Sequence, residues 1–238
     1  VATPPEDARR FYDAWGDDYS ASMREWGYDT HNHAAALLRR HLATNTKRLT
    51  LLDAGAGDGL SGQALRDAGY DSLVSITGVD LSPKLLKIAS ERGVYDELRV
   101  LDLGQALPFA SGSFDAVTCI STLTYLAPSS GVLSELCRVC ARGGFVVFNV
   151  RTDHLQSWEA AQSSLVRRGA WHLAEHTAPI AYLPLNASYS SRILTTLFCY
   201  ESTWGGGENQ RRQKGYQEGT RDDDRLDFRK SPSLSRFG

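Results

Sequence analysis

Asp53, Asp58, Asp80 and Asp102, set around Gly55, Gly57, Gly59 and Gly62, are the residues of this 238-residue chain whose types and spacing could do chemistry. The stretch Leu49 to Gly62 reads LTLLDAGAGDGLSG, an apolar run that reaches an acid and then four glycines within eight residues. Glycine takes positive φ at little cost, and without a Cβ its backbone can lie directly against a ligand. Such a turn at a helix N-terminus ordinarily receives an anion, because free N–H groups and the helix dipole point there. Here Asp53 stands before the glycines and Asp58 among them. Two like charges ~4 Å apart at an effective dielectric near 20 repel by roughly 4 kcal/mol, so this mouth disfavours a pyrophosphate and favours a ligand that carries a cation.

The other two acids extend the pattern. Asp80 closes the next apolar run about 20 residues beyond the glycines, where a strand-end carboxylate bonds ribose hydroxyls. Asp102 and Leu103 close a third run, where an acid can accept from an adenine amino group and the next backbone N–H can serve a ring nitrogen. S-adenosylmethionine, with an ammonium and a sulfonium beside an adenosine, suits all three positions. A nicotinamide dinucleotide is the competing ligand.

These residues need a scaffold that brings strand ends to one edge. The pattern predicts a doubly wound α/β fold: a mostly parallel seven-stranded sheet with an antiparallel C-terminal hairpin and helices on both faces. Helical spacing runs over Pro5 to Ser22, Thr30 to Leu42, Ser61 to Ala68, Ser82 to Glu91, Leu133 to Ala141 and Leu155 to Arg168. Strand-like runs are Leu49 to Asp53, Leu73 to Asp80, Leu98 to Leu103, Phe114 to Ser121, Phe145 to Val150, Trp171 to His176 and Ile193 to Tyr200. Gly143-Gly144 is expected to stop the helix that precedes it. Along the first helix Phe11, Tyr12, Trp15 and Tyr19 fall on one face; they either pack on the sheet or form a lid that excludes water from a ligand.

Composition supports one such domain. Hydrophobic residues make up 42% of the chain, enough for a sizeable core. Net charge is −2, so no global basic field draws the chain to nucleic acid or an anionic membrane. Apolar runs of transmembrane length and a signal-peptide pattern are both missing from the sequence, and the first residue, Val1, suggests a trimmed start. Cys119, Cys137, Cys140 and Cys199 read as reduced thiols of an intracellular protein, cytoplasmic or nuclear. Cys137 and Cys140 form a lone CxxC, and His31 and His33 flank Asn32; without a second ligand pair, neither reads as a metal site.

The segments LLDAGAGDG, GVDLSP, LPF with FD at Leu107 to Asp115, and LSELCRVCARGG ahead of a strand resemble the Rossmann-like S-adenosylmethionine-dependent methyltransferases. The N-terminal FYDAWGDDYSASMREWGYDTH, LGQALPF and FNVRTD narrow the likeness to a methyltransferase-like branch, and it covers roughly residues 11 to 200. The resemblance implies that Asp53, Ala54, Gly55 and Gly57 border the methionine part of the cofactor. It places Asp80 on the ribose, Leu81 against the adenine and Asp102 with Leu103 at the adenine edge. Ile120 and Ser121 would border the sulfonium, and Tyr12 and Tyr19 would form the aromatic cap. Ala141-Arg142 stands where many relatives have Lys-Pro, and Tyr125 where small-molecule members often carry histidine, so a histidine base is not assumed.

Three segments follow from these readings: residues 1–48 as an N-terminal helical cap, 49–202 as the methyltransferase core, and 203–238 as a disordered tail. The tail contains no Ala, Val, Ile or Met, too little apolar surface to offset the entropy of ordering it. Methyl transfer to a small-molecule or protein acceptor is the expected activity, with a cofactor-binding scaffold as the alternative. A catalytic residue is not assigned; Tyr125, Asp153 and His154 are candidate bases by position, and the loop Thr177 to Ser191 is expected to choose the acceptor. DNA bases are disfavoured as acceptors, since neither an asparagine-proline-aromatic motif nor a proline beside Cys119 is present.

Overall fold

A computed structural model describes residues 3–42, 48–71, 74–188 and 193–204. The disordered tail expected over residues 203–238 therefore falls outside the described residues from 205 onward, as do the last residues of the loop expected to choose the acceptor.

The helices are α1 (Pro5–Trp15), α2 (Tyr19–Glu25), α3 (Thr30–His41), α4 (Leu60–Asp67), α5 (Pro83–Glu91), α6 (Val132–Val139) and α7 (Leu155–Arg167). The strands are β1 (Leu49–Ala54), β2 (Val74–Asp80), β3 (Glu97–Val100), β4 (Phe114–Cys119), β5 (Cys140–Arg151), β6 (Trp171–His176), β7 (Ile180–Ala181) and β8 (Leu194–Ser202). They form one sheet in the order β3-β2-β1-β4-β5-β8-β6, with the short β7 also paired to β8. Strands β3 to β5 along that order run parallel, while β8 lies antiparallel to both β5 and β6. This is the expected sheet with one two-residue strand added.

Side chains alternate between two cores. On one face α3, α4 and the turn after α4 bury Leu37, Leu38, Leu65 and Tyr70 against Leu51, Ile76 and Val147. On the other, α6 and α7 bury Leu136, Cys137, Trp158 and Leu165 against Val117, Phe148 and Trp171. Burying one such large apolar side chain is worth ~1.5–3 kcal/mol, so the central strands are apolar on both faces. The four cysteines are all buried and unpaired with one another, and no group of His, Cys, Asp and Glu that could hold a metal occurs among the described residues. No helix among them is long and apolar enough to cross a membrane.

Three expectations change. The first helix breaks at Gly16, which takes φ 29°, a conformation glycine adopts at little cost, and the Lys84 side chain lies where a Cβ would stand; a 3₁₀ turn, Gly16–Asp18, then leads into α2. The third strand ends at Val100, so Asp102 and Leu103 sit in the turn after it, where Oδ1 of Asp102 accepts from the Gly104 N–H at 2.8 Å. The glycine pair does not stop α6. It lies inside β5 as an irregularity against β4, where the register shifts between Phe114 and Ala116, and a Cβ on Gly144 would strike the Asp115 carbonyl.

Candidate functional site

In sheets of this order a crevice opens beyond the strand ends where the connections change direction, here between β1 and β4. A cleft of about 780 Å³ including its open mouth lies there. Each neighbouring strand end supplies part of its wall: Gly55 and Gly57 after β1, Asp80 and Leu81 from β2, Leu101 to Leu103 after β3, and Ile120 to Thr122 after β4. Tyr12 of α1, Tyr19 of α2 and Tyr125 close the remaining side. Ten of the twelve residues singled out from the sequence thus line one cavity, while Asp53 and Ala54 lie behind it.

Asp53 is fully buried. Its Oδ2 accepts from the Tyr95 hydroxyl at 2.7 Å and its Oδ1 from Thr118 Oγ1 at 2.9 Å. Burial pushes its pKa up to about 6, against the pull of those two donors, and the nearby Asp80 charge adds to the rise. Tyr95 reaches it between two glycines, since a Cβ on Gly62 would strike the phenol and one on Gly78 would press on both the ring and Leu98. Asp58, 2% exposed, accepts from Arg92 at 2.8 Å and from the Ser20 hydroxyl. The two acids expected to repel a phosphate are therefore held by the protein's own donors. The carboxylates that line the cleft are Asp80 and Asp102, so the electrostatic selection belongs one and two strands further along.

Asp80 is held in place by backbone. Its Oδ2 accepts from the Gly57 N–H and its Oδ1 from the Ser82 N–H, each at 2.9 Å. Burial raises its pKa, and those backbone donors pull the other way. Ser82 caps α5 by accepting from the Leu85 N–H at 3.1 Å, and its hydroxyl donates to Asp13 of α1 at 2.5 Å. The glycines divide the work. A Cβ on Gly57 would meet nothing within 4 Å, so that backbone is open to the cleft, whereas one on Gly55 would collide with Thr122.

The N-terminal aromatics pack edge-on across the opening. Ring centroids are 5.4 Å apart for Tyr12 and Tyr125, 5.8 Å for Tyr12 and Tyr19, and 5.0 Å for Trp15 and Tyr19. Burial raises the hydroxyl pKa of Tyr12, Tyr19 and Tyr28 well above the usual phenol value. Those three stay protonated at neutral pH and offer O–H donors. Of the candidate bases, Tyr125 lines the cleft, while Asp153 and His154 lie outside its lining; Asp153 is paired with Arg151 at 2.6 Å. Arg9, Ser82, Leu85, Thr122 and Leu126 also line it. The Ser-Pro helix start at Ser82 was the one signal in the sequence that could have pointed to any of them.

Residues 52–148 match the family model described as a methyltransferase domain. The chain is 33% identical over 167 residues to human methyltransferase-like protein 27, covering 68% of this chain and 66% of that protein. It is 29% identical over 178 residues to a probable 18S rRNA (guanine-N(7))-methyltransferase of Dictyostelium discoideum, covering 70% of this chain and 60% of that one. It thus spans less than two thirds of either relative. Among solved structures, a chain from the complex of the Haloferax volcanii Trm112 methyltransferase activator with its methyltransferase superposes with TM-score 0.60 at 22% identity, over 81% of this chain and 98% of that one. At that identity the likeness shows the fold. The expectation against a nucleic-acid acceptor is not supported beside a relative named for rRNA: net charge sums over the whole surface, whereas an acceptor meets only the rim of the cleft.

Proposed function

The chain belongs to the Rossmann-like S-adenosylmethionine-dependent methyltransferases, and on that premise we propose that it binds S-adenosylmethionine in the cleft between β1 and β4 and transfers the methyl group to an acceptor brought beside Ser121 and Tyr125. The observation that carries this reading is the pairing of Asp80 with the Gly57 and Ser82 N–H groups. It leaves a carboxylate with unused acceptor positions lining the same cleft as a glycine whose backbone nothing covers.

The residues suit the cofactor. Asp80 would take the ribose hydroxyls, Leu81 and Leu103 the adenine faces, and Asp102 the adenine edge. Gly55 and Gly57 would border the methionine part, with Asp53 and Ala54 supporting that turn from behind. Ile120 and Ser121 would border the sulfonium, and Tyr12 and Tyr19 would cap it, making α1 and α2 the lid, while α3 belongs to the core. When bound, S-adenosylmethionine would supply a methyl carbon made electrophilic by its sulfonium, open to in-line attack by an acceptor lone pair, the carbon–sulfur bond breaking as the new bond forms and S-adenosylhomocysteine leaving. The protein's part is to hold donor and acceptor in that alignment and keep water out, which is worth on the order of 7 kcal/mol of the barrier in favourable cases. Tyr12, Tyr19 and Tyr125 supply apolar ring surface for the second task and hydroxyls for orienting the acceptor.

Two experiments test this. Calorimetry with S-adenosylmethionine, S-adenosylhomocysteine and a nicotinamide dinucleotide should show binding of the first two alone; binding of the dinucleotide instead would overturn the cofactor. Methyl-labelled cofactor, incubated with the chain and with separate metabolite, protein and RNA fractions, should label one fraction. Binding without label in any fraction would favour a cofactor-binding scaffold.

A further inference from the structure

We propose that Asn149 is a positioning residue, which fixes Ser121 in a left-handed turn and through it ties the N-terminal segment to the floor of the cleft. Ser121 is the only non-glycine with positive φ among the described residues, at 60°, a conformation that costs a side-chain-bearing residue ~1–2 kcal/mol. Something must hold it there. Its N–H donates to Oδ1 of Asn149 at 2.5 Å, and Asn149 is buried on β5. The orientation of that amide is determined by its other neighbour. Thr195 of β8 commits its single proton to the Val150 carbonyl at 3.1 Å, so its oxygen accepts, and Nδ2 of Asn149 donates to it at 2.8 Å. With Nδ2 engaged, Oδ1 is the atom presented to Ser121.

On its other side the Ser121 hydroxyl lies 2.7 Å from the Tyr28 hydroxyl, which belongs to the segment linking α2 and α3. The next residue, Thr122, packs where Gly55 lacks a Cβ. Ser121 is thus the point where β5, β8, the glycine turn and the N-terminal segment meet. No hydrogen bond joins Asn149 to Tyr28 directly; Ser121 is the hydrogen-bonded link between them, beside a ring contact of Tyr28 with Tyr182, over which Arg151 of β5 sits.

The test is a double-mutant cycle of Asn149→Ala and Tyr28→Phe, read first as amide hydrogen exchange of residues Tyr19 to Glu25 in the free chain. Each single change is expected to speed that exchange about tenfold, and the double variant to exchange no faster than Asn149→Ala alone, a departure from additivity that independent sites do not show. Unchanged exchange in Asn149→Ala, or effects that multiply in the double variant, would overturn the proposal. Should Asn149→Ala fail to fold, Thr195→Val, which frees the amide and also gives up the bond to the Val150 carbonyl, takes its place with the same non-additivity expected. S-adenosylhomocysteine affinity is the second readout, expected to fall in the same non-additive way. It rests on the proposed function, while the exchange readout does not: a parent chain that bound no adenosyl ligand would sink the cofactor assignment and leave the exchange result to decide the role of Asn149.

Discussion

The Tyr95 hydroxyl donates to Oδ2 of Asp53 across 2.7 Å and accepts from the Gly62 N–H at 3.0 Å, so one phenol links the end of β1 to the start of α4. Tyr95→Phe strips a donor from a buried carboxyl and should cost ~1–3 kcal/mol of unfolding free energy. Gly62→Ala should cost a comparable ~1–3 kcal/mol, because the added methyl overlaps the same ring. Urea unfolding followed by circular dichroism measures both; a Gly62→Ala variant as stable as the parent would remove the packing argument.

Asp53 also makes a pH prediction. Its pKa is raised to about 6 in the folded chain, chiefly by burial, from an ordinary 3.8. Between those values the folded state holds a proton that the unfolded state has lost, so stability falls as pH rises through this window and levels off above it. The loss is on the order of 3 kcal/mol at neutral pH. Asp53→Asn cannot ionise, so its stability relative to the parent should improve steadily from pH 4 to pH 6 in urea melts. A constant difference across that range would contradict the raised pKa.

Asp80→Ala should weaken both S-adenosylmethionine and S-adenosylhomocysteine, each about tenfold or more, since hydrogen bonds to a charged acceptor are worth ~1.5–3 kcal/mol. Loss on both ligands is the test of the ribose assignment, because both carry the same ribose hydroxyls, and any extra loss on S-adenosylmethionine measures the attraction of the carboxylate for its sulfonium. Calorimetry that showed loss for only one of the two ligands would move Asp80 to the sulfonium end.

Arg92→Met should destabilise the chain by ~3–5 kcal/mol, because it leaves Asp58, 2% exposed, with an uncompensated charge. Adding Asp58→Asn should recover most of the loss. If the double variant melts no higher than Arg92→Met, the guanidinium acts through packing and its bond to the Asp58 carbonyl at 2.6 Å instead.

How much of this was legible in the sequence depends on the range of the contact. The glycine spacing after Leu52 placed the turn, and the offset to Asp80 placed the carboxylate that now accepts from Gly57, because both follow from geometry within one βαβ unit. The roles of Asp53 and Asp58 did not follow. Their partners Tyr95 and Arg92 lie 42 and 34 residues away, and hydrophobic periodicity says which side of an element faces inward, not what it meets there. Two glycines carried a faint signal: Gly62, one turn into a helix, and Gly78, inside a strand, are positions where a glycine weakens its element unless something large passes close by. The break at Gly16 rests on a φ of 29° that glycine adopts readily, a local signal the aromatic spacing on either side concealed.

Of the residues in α1, Ala8 alone is buried. Ahead of α3, which is part of the core, the N-terminal segment holds on through polar ties, Asp13 to Ser82, Ser20 to Asp58 and Tyr28 to Ser121, and through ring contacts of Tyr12 with Tyr125 and Tyr28 with Tyr182. Each tie ends on a different loop, and each breaks without opening either hydrophobic layer. A molecule entering or leaving the crevice therefore has to part a few hydrogen bonds and ring contacts, and the sheet beneath keeps its shape while the door is off its hinges.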